Sequence, residues 1–130
     1  MSTIAIPVIW FVSLYVAFVI KHLLADFIFQ TGWMALGKSQ SQGWVAPLAA
    51  HSGIHAVLTF LIALAVQPSL WWLGPVDFVV HSLIDRGKGW ATQSLDVTEK
   101  DNAWWWLLGL DQALHQLTHF SFILVLLLAR

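Results

Sequence analysis

Four long apolar runs divide the chain, and each is broken near one end by a short polar stripe with helical spacing. The runs extend from Ile4 to Gln30, Trp44 to Gln67, Pro68 to Lys88 and Trp104 to Ala129. Each is long enough, or nearly so, to cross about 30 Å of hydrocarbon as a helix. The pattern predicts an all-α protein, a four-transmembrane-helix bundle. Gly74-Pro75 is expected to kink or shorten the third helix, since a proline in a helix interior removes a backbone donor.

The stripes repeat. An offset of 59 carries His22 and Asp26 onto His81 and Asp85, and an offset of 60 carries His51 and His55 onto Asp111 and His115. A Gly-Trp pair follows the first dyad of each half, at Gly32-Trp33 and Gly89-Trp90. The 130 residues therefore divide into two copies of one helical hairpin, 4–67 and 68–129, within a single integral membrane domain. Both hairpins start on the same side, which predicts a pseudo-twofold axis along the membrane normal. His22, His51, His81 and Asp111 each lie seven or eight residues inside their helix end, a depth of about 10–12 Å at the helical rise. Partners four residues apart share a helix face. Four antiparallel helices would thus bring four polar stripes to one level.

Composition sharpens this picture. Hydrophobic residues make up 58% of the chain and charged residues only 10%, far from the balance of a soluble domain. With no cysteine, disulfides, thiolate ligands and thiol nucleophiles are excluded. A net charge of -1 without a basic stripe gives no reason to expect nucleic acid. The first run lacks a basic leader and a small-residue cleavage site, and carries Lys21 and His22, so it is not expected to be a signal peptide. Lys38, Arg86, Lys88 and Lys100 cluster after runs one and three, against Arg130 alone on the other side. By the positive-inside rule the two longer loops face the cytoplasm of a bacterial inner membrane, with both termini periplasmic or extracellular. Trp33, Trp44, Trp90 and Trp104 to Trp106 would mark the inner interface, and Trp10, Trp71 and Trp72 the outer one.

Titratable groups at such a depth are costly unless they pair or bind something. Eight candidate ligands emerge: His22, Asp26, His51, His55, His81, Asp85, Asp111 and His115. Imidazole with carboxylate suits zinc, manganese or iron, and one tetrahedral zinc takes three or four protein ligands. Eight are enough for two ions. Asp77, Gln112 and His119 extend the stripes and would orient ligand imidazoles, although Asp77 equally fits a helix-start carboxylate after Pro75. Lys21 should point off the ligand face and snorkel. A bis-histidine haem would not explain three aspartates among its ligands. A ferritin-like di-iron site needs glutamates, and Glu99 is the sole one, in a loop.

The segments "KHLLADFIFQ", "HSGIH", "HSLIDRGKGW" and "LDQALHQLTH" resemble a small bacterial family of integral membrane proteins built on a domain of unknown function. The likeness spans nearly the whole chain, and His-x-x-x-Asp-Phe, His-x-x-x-Asp and Asp-Gln-x-x-His are its distinctive elements. More distantly, the chain is similar to bacterial membrane-bound metal-dependent hydrolases, which place His and Asp at helix ends. The first resemblance implies a shared polar site, and the second implies hydrolysis.

The expected function is a membrane metal-dependent hydrolase acting on an amphiphilic or lipid-linked substrate from the cytoplasmic leaflet. Two divalent ions would activate water, and Asp26 or Asp85 would accept its proton. Lys38, Arg86 and Lys88 would hold an anionic head group, with Thr31–Gly43 and Gly89–Ala103 as covering loops. The alternative is a zinc-like cation transporter or metal-sensing subunit, since paired His-x-x-x-Asp motifs resemble the zinc site of cation-diffusion-facilitator transporters. Against carriage, "IPVIWFVSLYVAF", "LTFLIALAV" and "FSFILVLLLA" offer no polar exit path, unless a homo-oligomer or a larger membrane complex supplies one. A structural subunit with an internally satisfied polar centre is the reading without metal.

Overall fold

The computed structural model describes residues 6–130, so the expected helix start at Ile4 lies outside the described residues. Every regular element among them is helical. Helix α1 spans Val8–Leu23 and runs on as a single π-helical turn, Leu24–Ile28. A short α2, Gly32–Gly37, follows, its N-terminus capped by the Thr31 hydroxyl, which accepts from the Met34 amide. Then come α3 (Val45–Val66), a 3₁₀ turn at Pro68–Leu70, α4 (Leu73–Ser94) and α5 (Asn102–Leu128). Helix α3 packs on α4, α4 on α5, α5 on α1, and α1 on α3.

Helix α4 departs most from the sequence expectation. It is unbroken at Pro75 because this residue falls in its first turn, where the missing amide has no intrahelical partner in any case. It also continues past Lys88 to Ser94, so the first six residues of the expected 89–103 loop are helix. The Gly89-Trp90 pair lies inside that helix, whereas Gly32-Trp33 opens α2 after a break. Gly74 explains how tightly α4 meets α3: a Cβ there would sit 2.8 Å from the Phe60 Cβ and 3.0 Å from the Ala56 carbonyl oxygen.

Two helical segments, Val8–Ile28 and Val45–Val66, are long and apolar enough to cross a membrane, with mean hydropathies of 2.0 and 1.8. Helices α4 and α5 are as long but carry more polar residues. Their histidines and aspartates point inward, as do the histidines of α3. His51, His55, His81, Asp77, His115 and His119 are all buried, while Val12, Val57, Leu61, Val79, Leu83, Leu110 and Leu117 are exposed. The interior is stratified at one-turn intervals. A layer of His and Asp gives way, four residues along α3, α4 and α5, to Thr59, Asp77 and His119, joined by Lys21 from α1. One turn further, Phe18, Ala63, Leu73, Phe122 and Ile123 close the interior with an apolar plug.

Candidate metal centre

Each helix delivers ligands through the i,i+4 spacing. On α3 this aims His51 and His55 inward, on α4 His81 and Asp85, and on α5 Asp111 and His115. Helix α1 contributes His22 and, from its π turn, Asp26. A π turn takes one extra residue and re-aims the side chains beyond it, a device frequent at functional sites. Nothing in the local sequence announces it.

Asp26 gathers three imidazoles. Its Oδ1 lies 2.9 Å from His55 Nε2 and 3.3 Å from His51 Nε2, and its Oδ2 lies 2.9 Å from His22 Nε2. Asp85 forms a second hub, with Oδ1 3.0 Å from His115 Nε2 and Oδ2 3.4 Å from His51 Nε2. The Lys38 ammonium donates to Asp85 Oδ2 at 2.8 Å. The imidazoles crowd one another as well: His51 and His81 bring their Nε2 atoms within 3.2 Å, and the His81 ring stacks between those of His55 (3.7 Å) and His115 (4.1 Å).

Three buried groups have ligand atoms mutually within 4.8 Å and could hold a metal ion: Asp26, His51, His55 and His81; His81, Asp85 and His115; and His22, His55 and His119. The spacings suit coordination. At a metal–ligand distance of about 2.0–2.1 Å, a tetrahedron has edges of about 3.3 Å. His51 Nε2 stands 3.2, 3.3 and 3.4 Å from ligand atoms of His81, Asp26 and Asp85. The Nδ1 atoms of His22, His51, His55 and His81 are buried without a hydrogen-bond partner, so the Nε2 atoms carry the polar contacts of these rings.

Seven of the eight expected ligands converge in this way; Asp111 does not. Its Oδ1 is buried, has no hydrogen-bond partner and lies 3.6 Å from His115 Nε2. Gln112 donates to Asp111 Oδ2 at 3.0 Å and places Oε1 3.3 Å from His22 Nε2, an orienting position. His119, expected only to orient, stands among potential ligands. Asp77 touches no imidazole among the described residues: Lys21 (2.7 Å) and Thr59 (2.5 Å) both donate to its Oδ2. The expectation that Lys21 snorkels is thereby corrected. Its side chain is 2% exposed, and its ammonium also lies 3.2 Å from His119 Nε2.

A cavity of about 240 Å³ reaches the cage from the end that carries α2. Asp26, Asp85, Asp111 and His115 line it together with Lys38 and Lys88. Arg86, expected beside them, is drawn away: it donates to the Gln40 carbonyl at 2.9 Å and stacks on Trp44. Gln93 also donates to the Ser39 carbonyl. These contacts fasten the expected 31–43 cover to α4 and deliver Lys38 to Asp85.

Compared with known proteins, residues 14–129 match a family model described as "Protein of unknown function (DUF3307)". The chain belongs to this family. The match takes in every ligand candidate from His22 to His119, so the buried His/Asp centre lies wholly within the DUF3307 region. No curated protein and no solved structure matches significantly.

Proposed function

We propose that this DUF3307 protein is a membrane-embedded, metal-dependent hydrolase with a dinuclear His/Asp centre. The observation that carries the reading is the convergence of ligand atoms in compact sets, two of the three sharing His81. His81 belongs to both and can give Nε2 to one ion only. Assigned to the second, it leaves Asp26, His51 and His55 opposite His81, Asp85 and His115, two imidazoles and one carboxylate on each side. That donor set, with positions left for water, occurs at catalytic zinc and non-haem iron sites.

The fold is a four-transmembrane-helix bundle of two repeated hairpins. The exposed apolar faces of α4 and α5 support it, for these helices turn Val76, Val79 and Leu83, and Leu110, Leu117 and Phe120, outward around a polar interior. The matched contacts of the two halves support the repeat, His55–Asp26 at 2.9 Å and His115–Asp85 at 3.0 Å. The loops carrying Lys38 and Lys100 face the cytoplasm, as does the cavity mouth.

Bound divalent ions would supply Lewis acidity and an acidified water. The chain's own groups supply the rest. Asp26 and Asp85 already receive imidazoles on their oxygens, which leaves the unpartnered Asp111 Oδ1 at the cavity as the better proton acceptor. Lys38 and Lys88 meet an anionic substrate in the cavity. The apolar plug beyond the centre favours a site open to one side over a path for cation carriage.

Metal analysis of the purified chain tests this. Two zinc, manganese or iron ions per chain are expected, falling to one or none in His81→Ala and His51→Ala. Soluble head group should be released from anionic phospholipid vesicles by the parent but not by Asp111→Asn. A chain free of metal overturns the centre. Zinc flux into vesicles, abolished by His81→Ala and without hydrolysis, replaces the hydrolase with a carrier.

A further inference from the structure

A second cavity, of about 320 Å³, lies between α4 and α5 on the outer surface. Its walls are apolar: Leu83, Ile84, Leu110 and Leu114, with Gly87 leaving open space where a side chain would project. It is not sealed from the site. Lys88 and Asp111 line both this groove and the polar cavity above the cage. A hydrocarbon chain lying in the groove would therefore end beside an ammonium and within reach of the His/Asp cluster.

We infer that this groove seats one acyl chain of an anionic phospholipid, whose phosphoryl group enters the polar cavity sideways from the bilayer between α4 and α5. The inference rests on the proposed membrane site and names its substrate class. Charge selects the occupant. In the cavity three carboxylates, Asp26, Asp85 and Asp111, face Lys38 and Lys88, so two bound divalent ions would leave an excess of positive charge for an anion to neutralise. Shape selects it too. Tails gain nothing from apolar walls in an apolar solvent, so a groove becomes specific only where a head group finds polar partners at its end. Another apolar groove shows the difference: the one on α3 around Ala50, Gly53, Ile54 and Val57 is larger, about 420 Å³, and has no charged residue in its lining.

The test uses the full chain in phosphatidylcholine vesicles doped with a phosphatidylglycerol that carries a photoreactive diazirine in one acyl chain. Label is expected on Leu83 and Ile84 of α4 and on Leu110 and Leu114 of α5, where it should exceed that from the matching phosphatidylcholine probe. Gly87→Leu fills the groove and should cut labelling there about tenfold, the scale of a steric overlap. Gly53→Leu, also in open space, should leave it unchanged. Lys88→Gln should remove the preference for the anionic probe. Equal labelling of both grooves, labelling indifferent to Gly87→Leu, or a groove covered by a second copy of the chain overturns the inference. Metal content is read on the same samples, so loss of labelling with two ions retained sinks this inference alone, whereas labelling without metal sinks the dinuclear centre and the charge selection drawn from it, and leaves the groove as an acyl seat.

Discussion

Two polar layers stacked one helical turn apart solve the problem of buried charge in opposite ways. In the deeper layer Lys21, Asp77, Thr59 and His119 form a charge-balanced set: an ammonium meets a carboxylate at 2.7 Å, and a hydroxyl and an imidazole add their contacts. In the cage above, Asp26, Asp85 and Asp111 face one contacting ammonium, Lys38, amid imidazoles that converge through Nε2. The lower layer brings its own cation; the upper one has acceptors to spare. An unbalanced cluster is costly in a low-dielectric interior, and bound cations would recover that cost.

Removing the built-in cation should have the largest effect. Lys21→Met strands the Asp77 carboxylate, 1% exposed, and should destabilise the fold by about 3–5 kcal/mol, the cost of an orphaned buried charge. Unfolding by sodium dodecyl sulfate in mixed micelles measures it. Adding Asp77→Asn should restore most of the loss, because both charges are then gone. A Lys21→Met protein as stable as the parent would show that the deep pair is idle.

Asp85→Asn should behave in the reverse sense. Divalent-ion affinity, measured by competition with a chelating dye, should fall at least about 100-fold, the upper range for losing a mere supporting contact. Yet the metal-free protein should be no less stable than its parent, since the substitution relieves a cluster rich in carboxylates, and Lys38, 18% exposed, keeps its access to water. Equal destabilisation by Lys21→Met and Asp85→Asn, with metal binding intact, would collapse the distinction between the layers.

The sequence discloses the upper layer more fully than the lower. Polar residues four apart in an apolar background can be read as a face, and counting from helix ends sets their common depth. That logic brings His51, His55, His81 and His115 together. It fails for Lys21, which neighbours His22 in sequence and so projects about 100° away from it on a regular helix; only packing shows that its long stem turns inward to Asp77. The π turn at Asp26 is equally silent. The end of α4 escapes because the apolar run stops at Lys88 while the helix does not: Gly89 is needed for the close approach of Ser39, whose Cα would lie 3.1 Å from a Cβ there. Asp111 departs for a related reason: spacing gives its face but not its final reach, which stops short of the three ligand groups.

The smallest test probes whether the deep layer depends on its hydroxyl as well as on its charge. Asp77 Oδ2 receives both Lys21 and Thr59, while its Oδ1 is buried without a partner. Thr59→Val keeps the shape and removes the donor, so about 2 kcal/mol should be lost, typical of a hydrogen bond to a charged group. Thr59→Ser keeps the donor and removes one methyl, costing about 1 kcal/mol through the small void left behind. Metal affinity should be unchanged in both, because the Thr59 hydroxyl bonds Asp77 and no side chain of the cage. Were serine the more damaging of the two, packing rather than the hydrogen bond would hold this layer together. Were valine to weaken metal binding instead, the two layers would be one network, and the cage would owe its geometry to the lysine beneath it.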